Sequence, residues 1–318
     1  MVEININEID GFKIGNADNI KAGTGVTAII CEKGAVAGVD VRGGGPATRE
    51  TDLLKPENMV EKINAVVLSG GSAYGLEAAC GVMDFLENKN VGFDVGVGVV
   101  PIVCGASLFD LVVGDGKIRP DKEMGIEAAK NAYDGEFFCG NHGAGTGATI
   151  GKYLGINRMM KSGLGASALK AGKVKCGAVI AVNALGDVFN RYGKQIGGIL
   201  SPDKKSLAST EELVIRDIEK EKNIFKGNTT IGCIITNGIL TKAQCTKLAS
   251  IAHDGYARAI KPVHTSADGD TIFAMSTCTE EVNFDSLAVM VTKAVTYAIE
   301  NAVSEAESAY GLIASRDL

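Results

Sequence analysis

The chain sets short apolar runs between glycine-rich or charged breaks and finishes with two longer stretches of helical period. Val26–Cys31, the break Glu32-Lys33-Gly34 and Ala35–Val41 predict a β-hairpin. The segment 10–21 before it is turn-rich, and Arg42–Pro46 ends the second run. Pro56 opens a predicted short helix over 56–63, since proline suits a first helical turn. Ala65–Leu68 is a buried strand running through Ser69-Gly70-Gly71-Ser72 into a helix over 73–87. The stretch 91–103 is strand-like and interrupted by glycine, and 122–133 is helical. Gly163–Leu169 and Val174–Val182 predict a second hairpin, followed at once by Asn183. A charged stretch over 203–222 is helical in part. Beyond it lie a helix over 240–260, a strand over Thr271–Ser276 and a helix over 284–307. That last helix carries Leu287, Val291, Ala294, Val295, Ala298, Ile299 and Ala302 on one face. Strand pairs separated by long helices predict the α+β class: two mostly antiparallel sheets with helices on their outer faces.

The sharpest change of character falls at Asn228-Thr229. A charged, polar stretch from Ser201 to Gly227 stops there, and the β-branched run Thr229–Thr236 begins. A threonine opening a strand is ordinary, because Thr suits strands. The alternative is a nucleophile held rigidly at a sheet edge, which the spacing alone does not favour. A cut between Asn228 and Thr229 would free an α-amine of pKa about 7.7–8.0, a general base for the hydroxyl of its own residue.

Composition narrows the partners. The 318 residues allow one large domain or two ordinary ones. With 41 Gly, no Trp and 46% apolar residues, the chain predicts many tight turns between short strands. A net charge of −6 argues against nucleic acid or an anionic membrane as partner. The first residues are mixed and acidic, unlike a secretory leader, and no apolar run has the length of a membrane span, so the expected location is cytoplasmic. The eight Cys form no CxxC pair and read as buried reduced thiols. The three His show no ligand spacing, so neither metal nor other cofactor is expected.

Several polar positions stand out and admit two readings each. Ser72 has the setting of a nucleophile elbow, but Tyr74 stands where that motif needs glycine. The run Gly140–Lys152 invites a phosphate-loop reading that Thr146 and Tyr153 break. Its glycines read as a loop packed under a site, with Lys152 either solvated or a charge within that site. Asn183 is a turn former or an oxyanion donor. Asp268-Gly269-Asp270 is a turn, a metal site or part of a proton network.

Together, Val39–Gly44, Thr48–Asp52, Leu68–Gly75 and Gly143–Ala148 resemble the L-aminopeptidase/D-esterase family of self-cleaving peptidases. The likeness extends over 11–311 and is weakest over 201–226. Asn228–Gly232, His253-Asp254-Gly255 and Asp268–Ala274 resemble that family's nylon-oligomer (6-aminohexanoate-oligomer) hydrolase branch. The resemblance implies a single αββα domain over 1–318, like N-terminal-nucleophile hydrolases but differently connected. It implies self-cleavage into 1–228 and 229–318, with Thr229 as nucleophile for both the cut and substrate hydrolysis. Asp268 and Asp270 match the carboxylates around the nucleophile, and Asn183 matches the oxyanion donor. Lys152 matches the active-site lysine, with Lys161 as its rival, and Tyr74 matches a residue of the cleft. Expected substrates are short peptides or ω-amino-acid oligomers, and the expected assembly is a tetramer of cut pairs. Aminopeptidase, D-amino-acid esterase or β-peptidyl aminopeptidase activity is the alternative within the family. An ornithine acetyltransferase is disfavoured because Asn, not Ala, precedes Thr229. A non-catalytic binding protein is disfavoured because the whole polar set is present.

Overall fold

The computed structural model describes residues 1–220 and 227–318. In chain order its main elements are β1 (Val2–Ile4), β2 (Lys13–Asn19), β3 (Thr24–Val41), β4 (Lys62–Ser69), α1 (Ala78–Asn88), β5 (Val103–Ser107), α2 (Lys122–Asp134), β6 (Leu164–Ala171), β7 (Val174–Asn183), α3 (Thr210–Arg216), β8 (Thr229–Gly238), α4 (Lys242–Ala259), β9 (Thr271–Glu280) and α5 (Phe284–Ser304).

The strand β3 organises the molecule. Its first half pairs antiparallel with β2 on one side and β4 on the other. Its second half pairs antiparallel with β9. One sheet therefore runs β1-β6-β7-β8-β9-β3 and the other runs β2-β3-β4-β5, closed at its edge by Thr48–Arg49. The two are halves of one ten-stranded ribbon folded over on itself along β3. Among the described residues only the pairs β8·β9 and β4·β5 of this ribbon are parallel.

Period-two alternation builds three apolar layers from this ribbon. Ile231, Cys233, Ile235, Phe273 and Met275 of one half meet Ile29, Val66, Leu68, Cys104 and Ala106 of the other. On the outer face of the first half, Ile180, Ile234, Ile272 and Ala274 pack under α4 and α5. On the outer face of the second, Val26, Ala28, Ala65 and Val67 pack under α1 and α2. The result is the αββα stack. Helices lie close on the sheets because glycine faces them: a Cβ on Gly15 would stand 2.1 Å from the Ala132 nitrogen, and one on Gly38 2.2 Å from the Thr246 nitrogen. Many glycines thus serve close packing rather than the turns expected from composition.

The structure differs from the sequence expectations in four places. Glu32-Lys33-Gly34 is not a hairpin turn; β3 continues through it with a shift of register against β4, and Gly34 takes φ +74. The turn-rich segment 10–21 contains β2. No helix forms over 56–63, because Lys62 and Ile63 already pair with β3. Thr229 is not at a sheet edge: β8 lies between β7 and β9. Of the charged stretch 203–222, Thr210–Arg216 is helical, and 221–226 lie outside the described residues.

All eight cysteines are free thiols, five of them buried. Among the described residues no helix is long and apolar enough to cross a membrane.

Candidate active site

Thr229 opens β8 directly opposite Asn183, the last residue of β7. It shares its strand face with Ile231, Cys233 and Ile235, so its side chain belongs to the seam between the two halves, while Thr230 faces the helical layer. Thr229 is 5% exposed. Its hydroxyl donates to the carbonyl oxygen of Asn228, the residue before it. The same carbonyl accepts the Gly269 N–H at 3.0 Å. Asn228 and Asp268 form a parallel bridge just beyond the β8·β9 ladder, which is why the Asp268–Asp270 turn reaches this peptide.

Lys152 enters from the loop after Thr149–Ile150 and is fully buried. Its ammonium donates to the Asn183 side-chain oxygen at 2.6 Å, the Asn183 carbonyl at 2.9 Å and the Gly227 carbonyl at 2.8 Å. Burial drives this amine well below the usual lysine range, and the charges of Asp268 and Asp110 draw it back. Lys161 is elsewhere: it donates to the carbonyls of Gly145, Ala148 and Ser162 and so ties down the glycine loop. Burial lowers its amine to about 7. The two lysines are thereby separated, one against the Gly227–Thr229 segment and one under the loop beside it.

Asn183 Nδ2 donates to Phe109 O at 2.9 Å and Gly227 O at 3.3 Å. Besides the Thr229 hydroxyl, the donor on the Asn228 carbonyl is the Gly269 backbone, and Asn183 sits one carbonyl upstream. Asp270 accepts the Thr230 N–H at 2.7 Å on one oxygen and the His264 ring on the other. Asp268 accepts the Thr265 backbone N–H at 2.8 Å and the Thr265 hydroxyl. Its carboxyl is raised to about 6, first by burial and then by the charge of Asp270.

Five expected residues therefore meet around one peptide: Thr229, Lys152, Asn183, Asp268 and Asp270. Tyr74 stands apart. It is 58% exposed on the short turn Ser72–Glu77, with the Arg119 guanidinium 3.7 Å from its ring centre. Its link to the site is indirect: Asp110 accepts the Gly71 N–H at 2.7 Å and lies next to Phe109, the acceptor for Asn183. Sequence reasoning missed Asp110, Gly269 and His264. Asp110 is raised to about 6 by burial and accepts the Thr24 hydroxyl at 2.6 Å. Among the described residues no group of three or more His, Cys, Asp or Glu is placed to hold a metal ion.

A hydroxyl on a carbonyl that already receives an N–H, with a buried lysine and two carboxylates alongside, is a set of groups that acyl transfer can use. Residues 5–315 match Peptidase family S58. An "uncharacterized aminopeptidase" of Mycobacterium leprae is 40% identical over 290 residues, 86% of this chain and 78% of the relative. A 6-aminohexanoate-oligomer endohydrolase of Paenarthrobacter ureafaciens is 31% identical over 274 residues, 85% of this chain and 74% of the relative. In fold, the chain resembles the L-aminopeptidase D-Ala-esterase/amidase of Ochrobactrum anthropi, a variant of the N-terminal-nucleophile hydrolase fold, with TM-score 0.75 at 20% identity over 98% of this chain and 90% of that one. The Burkholderia β-aminopeptidase gives TM-score 0.71 at 19% identity over 96% and 89%. The chain belongs to Peptidase family S58 and is a hydrolase of amide bonds.

Proposed function

We propose that the chain cuts itself between Asn228 and Thr229 and then hydrolyses amide bonds of short peptides or ω-amino-acid oligomers with the freed Thr229. The observation that carries this reading is the pair of donors on the Asn228 carbonyl: the Thr229 hydroxyl from one side and the Gly269 N–H at 3.0 Å from the other. In the self-cut, Thr229 Oγ1 attacks the Asn228 carbonyl carbon. Negative charge develops on the oxygen that Gly269 holds. The C–N bond breaks, the Thr229 nitrogen takes the hydroxyl proton, and an ester remains. Water hydrolyses the ester, leaving an Asn228 carboxylate and a free Thr229 amine and hydroxyl. Holding hydroxyl and carbonyl together supplies about 7–11 kcal/mol of such a barrier, and one oxyanion donor about 3–4 kcal/mol.

In the cut protein the Thr229 amine takes the hydroxyl proton during attack on a substrate amide. Asp270 already holds the next backbone N–H and Asp268 bridges Asn228, so the two carboxylates lie where that amine, once protonated, needs a counter-charge. Lys152 supplies positive charge through Gly227 and Asn183. The oligomer substrates follow from the endohydrolase relative, and the short-peptide substrates from the aminopeptidase relative.

Intact-mass measurement of the purified protein tests the cut: two pieces, 1–228 and 229–318, are expected. Thr229→Ala removes the only attacking atom and is expected to leave the chain whole and inactive. Thr229→Ser and Thr229→Cys keep a nucleophile but lose the methyl that restricts χ1, so each should retain slow activity. A Thr229→Ala chain that is still cut at this bond sinks the mechanism.

A further inference from the structure

The acidic pair is held unequally. Asp270 receives three N–H donors: Thr230 N at 2.7 Å on one oxygen, and His264 N at 3.2 Å and His264 Nδ1 at 2.8 Å on the other. Among the described residues Asp268 receives only the backbone N–H and hydroxyl of Thr265, both on one oxygen. Donors aimed at a carboxylate favour its charged form, and two neighbouring buried carboxylates resist ionising together.

Resting on the reaction proposed above, we propose that His264 is a positioning residue: its ring Nδ1–H holds the Asp270 carboxyl fixed on the Thr230 N–H, so that a proton entering the pair goes to Asp268, beside the scissile peptide.

The surroundings of His264 are built for one orientation. Its backbone takes φ +56, a left-handed conformation that His adopts more readily than most residues, and this brings its backbone N and ring Nδ1 to the same Asp270 oxygen. Left-handed non-glycine residues collect at functional positions because something must hold them there. The ring packs against His253, edge-on at 4.7 Å, and Tyr256, stacked at 6.0 Å, both from α4 and in contact with each other at 5.2 Å. Its Nε2 is buried and, among the described residues, meets no protein partner. A proton on Nδ1 meets the Asp270 oxygen, whereas one on Nε2 would be a buried N–H without a partner among the described residues.

Among the described residues no neighbour duplicates this donor. On α4, His253 gives its Nε2 to the Asp40 carbonyl at 3.1 Å and is pushed by burial to about 4, hence neutral. The Tyr256 phenol is driven well above its usual range by burial and by the charge of Asp270. At the end of β3, Arg42 pairs with Asp40 at 2.8 Å and turns its guanidinium to Ser250. On the same turn as Asp270, Asp268 is a carboxyl and offers no such donor, its own pKa being raised by the charge of Asp270, and Lys152 acts from the Gly227 side, where it lowers that of Asp268. Taking the ring away leaves Asp270 with two backbone donors. The consequence is local: Asp270 positions Thr230, and Thr230 fixes the residue that carries the nucleophile.

Three variants of the full chain test this. His264→Gly removes the ring, keeps the backbone N–H and tolerates φ +56. His264→Asn also tolerates it and returns a side-chain N–H near the place of Nδ1. His264→Gln sets its amide one bond further out, serves if the glycine variant fails to fold, and is expected to behave like it. The readout is kcat/KM against pH on the 6-aminohexanoate linear dimer, or on L-alanyl p-nitroanilide if that is turned over faster, together with the rate of the self-cut. In His264→Gly the acid limb should move up by about one pH unit, with roughly tenfold less activity at pH 5. His264→Asn should restore the wild-type limb, and added imidazole should partly restore His264→Gly. An acid limb unmoved in His264→Gly, or equal losses in Gly and Asn variants, overturns the assignment. If the wild-type chain neither cuts itself nor hydrolyses amides, the proposed reaction fails; if it does both while the limb stays put, only the role of His264 fails.

Discussion

Gly269→Ala keeps the backbone donor but sets a methyl against Thr229. A Cβ at Gly269 would stand 2.9 Å from Thr229 Oγ1, 2.9 Å from the Gly45 carbonyl oxygen and 3.3 Å from Pro46 Cα. Comfortable contacts to carbon are about 3.5–4.0 Å, so the methyl is short of room by roughly half an ångström on two sides. One of those neighbours is backbone, which yields little; the other is the attacking atom, which yields by turning away from the Asn228 carbonyl. Overpacking of this kind costs about 1–3 kcal/mol. In a domain of this size each kcal/mol lowers the melting temperature by roughly 2–4 °C. A misplacement of about 1 Å costs on the order of 10²-fold in rate. Gly269→Ala should therefore fold, melt several degrees lower and cut itself about ten- to a hundredfold more slowly. Gly45→Ala is the control, because its added Cβ meets nothing nearer than Asp268 O at 3.8 Å. The assay is intact mass against time after rapid purification in the cold. A Gly269→Ala chain cut at the rate of Gly45→Ala would show that the Asn228 carbonyl does not react in the place described.

Lys152→Met should lower the self-cut and hydrolysis about 10²–10³-fold. Its folding free energy should change by less than about 2 kcal/mol, since a buried amine leaves with its desolvation cost while Asn183 Oδ1 keeps the Thr149 N–H; denaturant melts and product release measure both. Lys161→Met should flatten the dependence of stability on pH. With its folded pKa near 7, below the unfolded value of 10.5, the unfolded chain binds the extra proton between these values, so wild-type stability rises with pH across that window and the variant's does not. Tyr256→Phe removes a buried hydroxyl without a protein partner among the described residues, and should leave the chain as stable or about 1 kcal/mol more so by thermal melts. Exhaustive chelation should leave hydrolysis unchanged, and activity restored by a particular metal would show that the acidic turn has been misread.

Local patterns told most about the elements and least about their partners. The switch from charge to β-branched residues at Asn228-Thr229 marks the start of β8 because polarity tracks burial. Nothing local says that β7 and β9 flank it, so a strand start looked like a sheet edge. Glu32-Lys33-Gly34 has the residues of a turn, yet β4 pairs with β3 on both sides of it and turns a reversal into a bulge. Pro56 suggested a helix over residues that the long strand claims for pairing. Within the site, Thr229, Lys152, Asn183, Asp268 and Asp270 came from family likeness, with side chains whose chemistry can be named in advance. Gly269 acts through its backbone, which every residue but proline also offers, so no residue type announces it. His264 read as a lone histidine because its partner is chosen by the fold of the 261–270 loop and by two rings on α4.

The strand order carries a consequence for the protein's birth. Strands β8 and β9 fill the space between β7 and β3, both made much earlier in the chain. A nascent polypeptide that has emerged only as far as Lys220 has a ribbon open by two strands in the middle, with unpaired edges facing the gap. The ribosome must pass Glu280 before the gap can close, and the Gly269 N–H and both carboxylates arrive with the second of the two strands. The bond at Asn228-Thr229 is thus translated before Asp268, Gly269 and Asp270, three of the groups proposed to act on it. Under the proposed reaction, synthesis itself delays the cut until each resulting piece is zipped to the other along two ladders. The shorter piece would then leave only if both ladders open, so that a break in the chain would cost the architecture little.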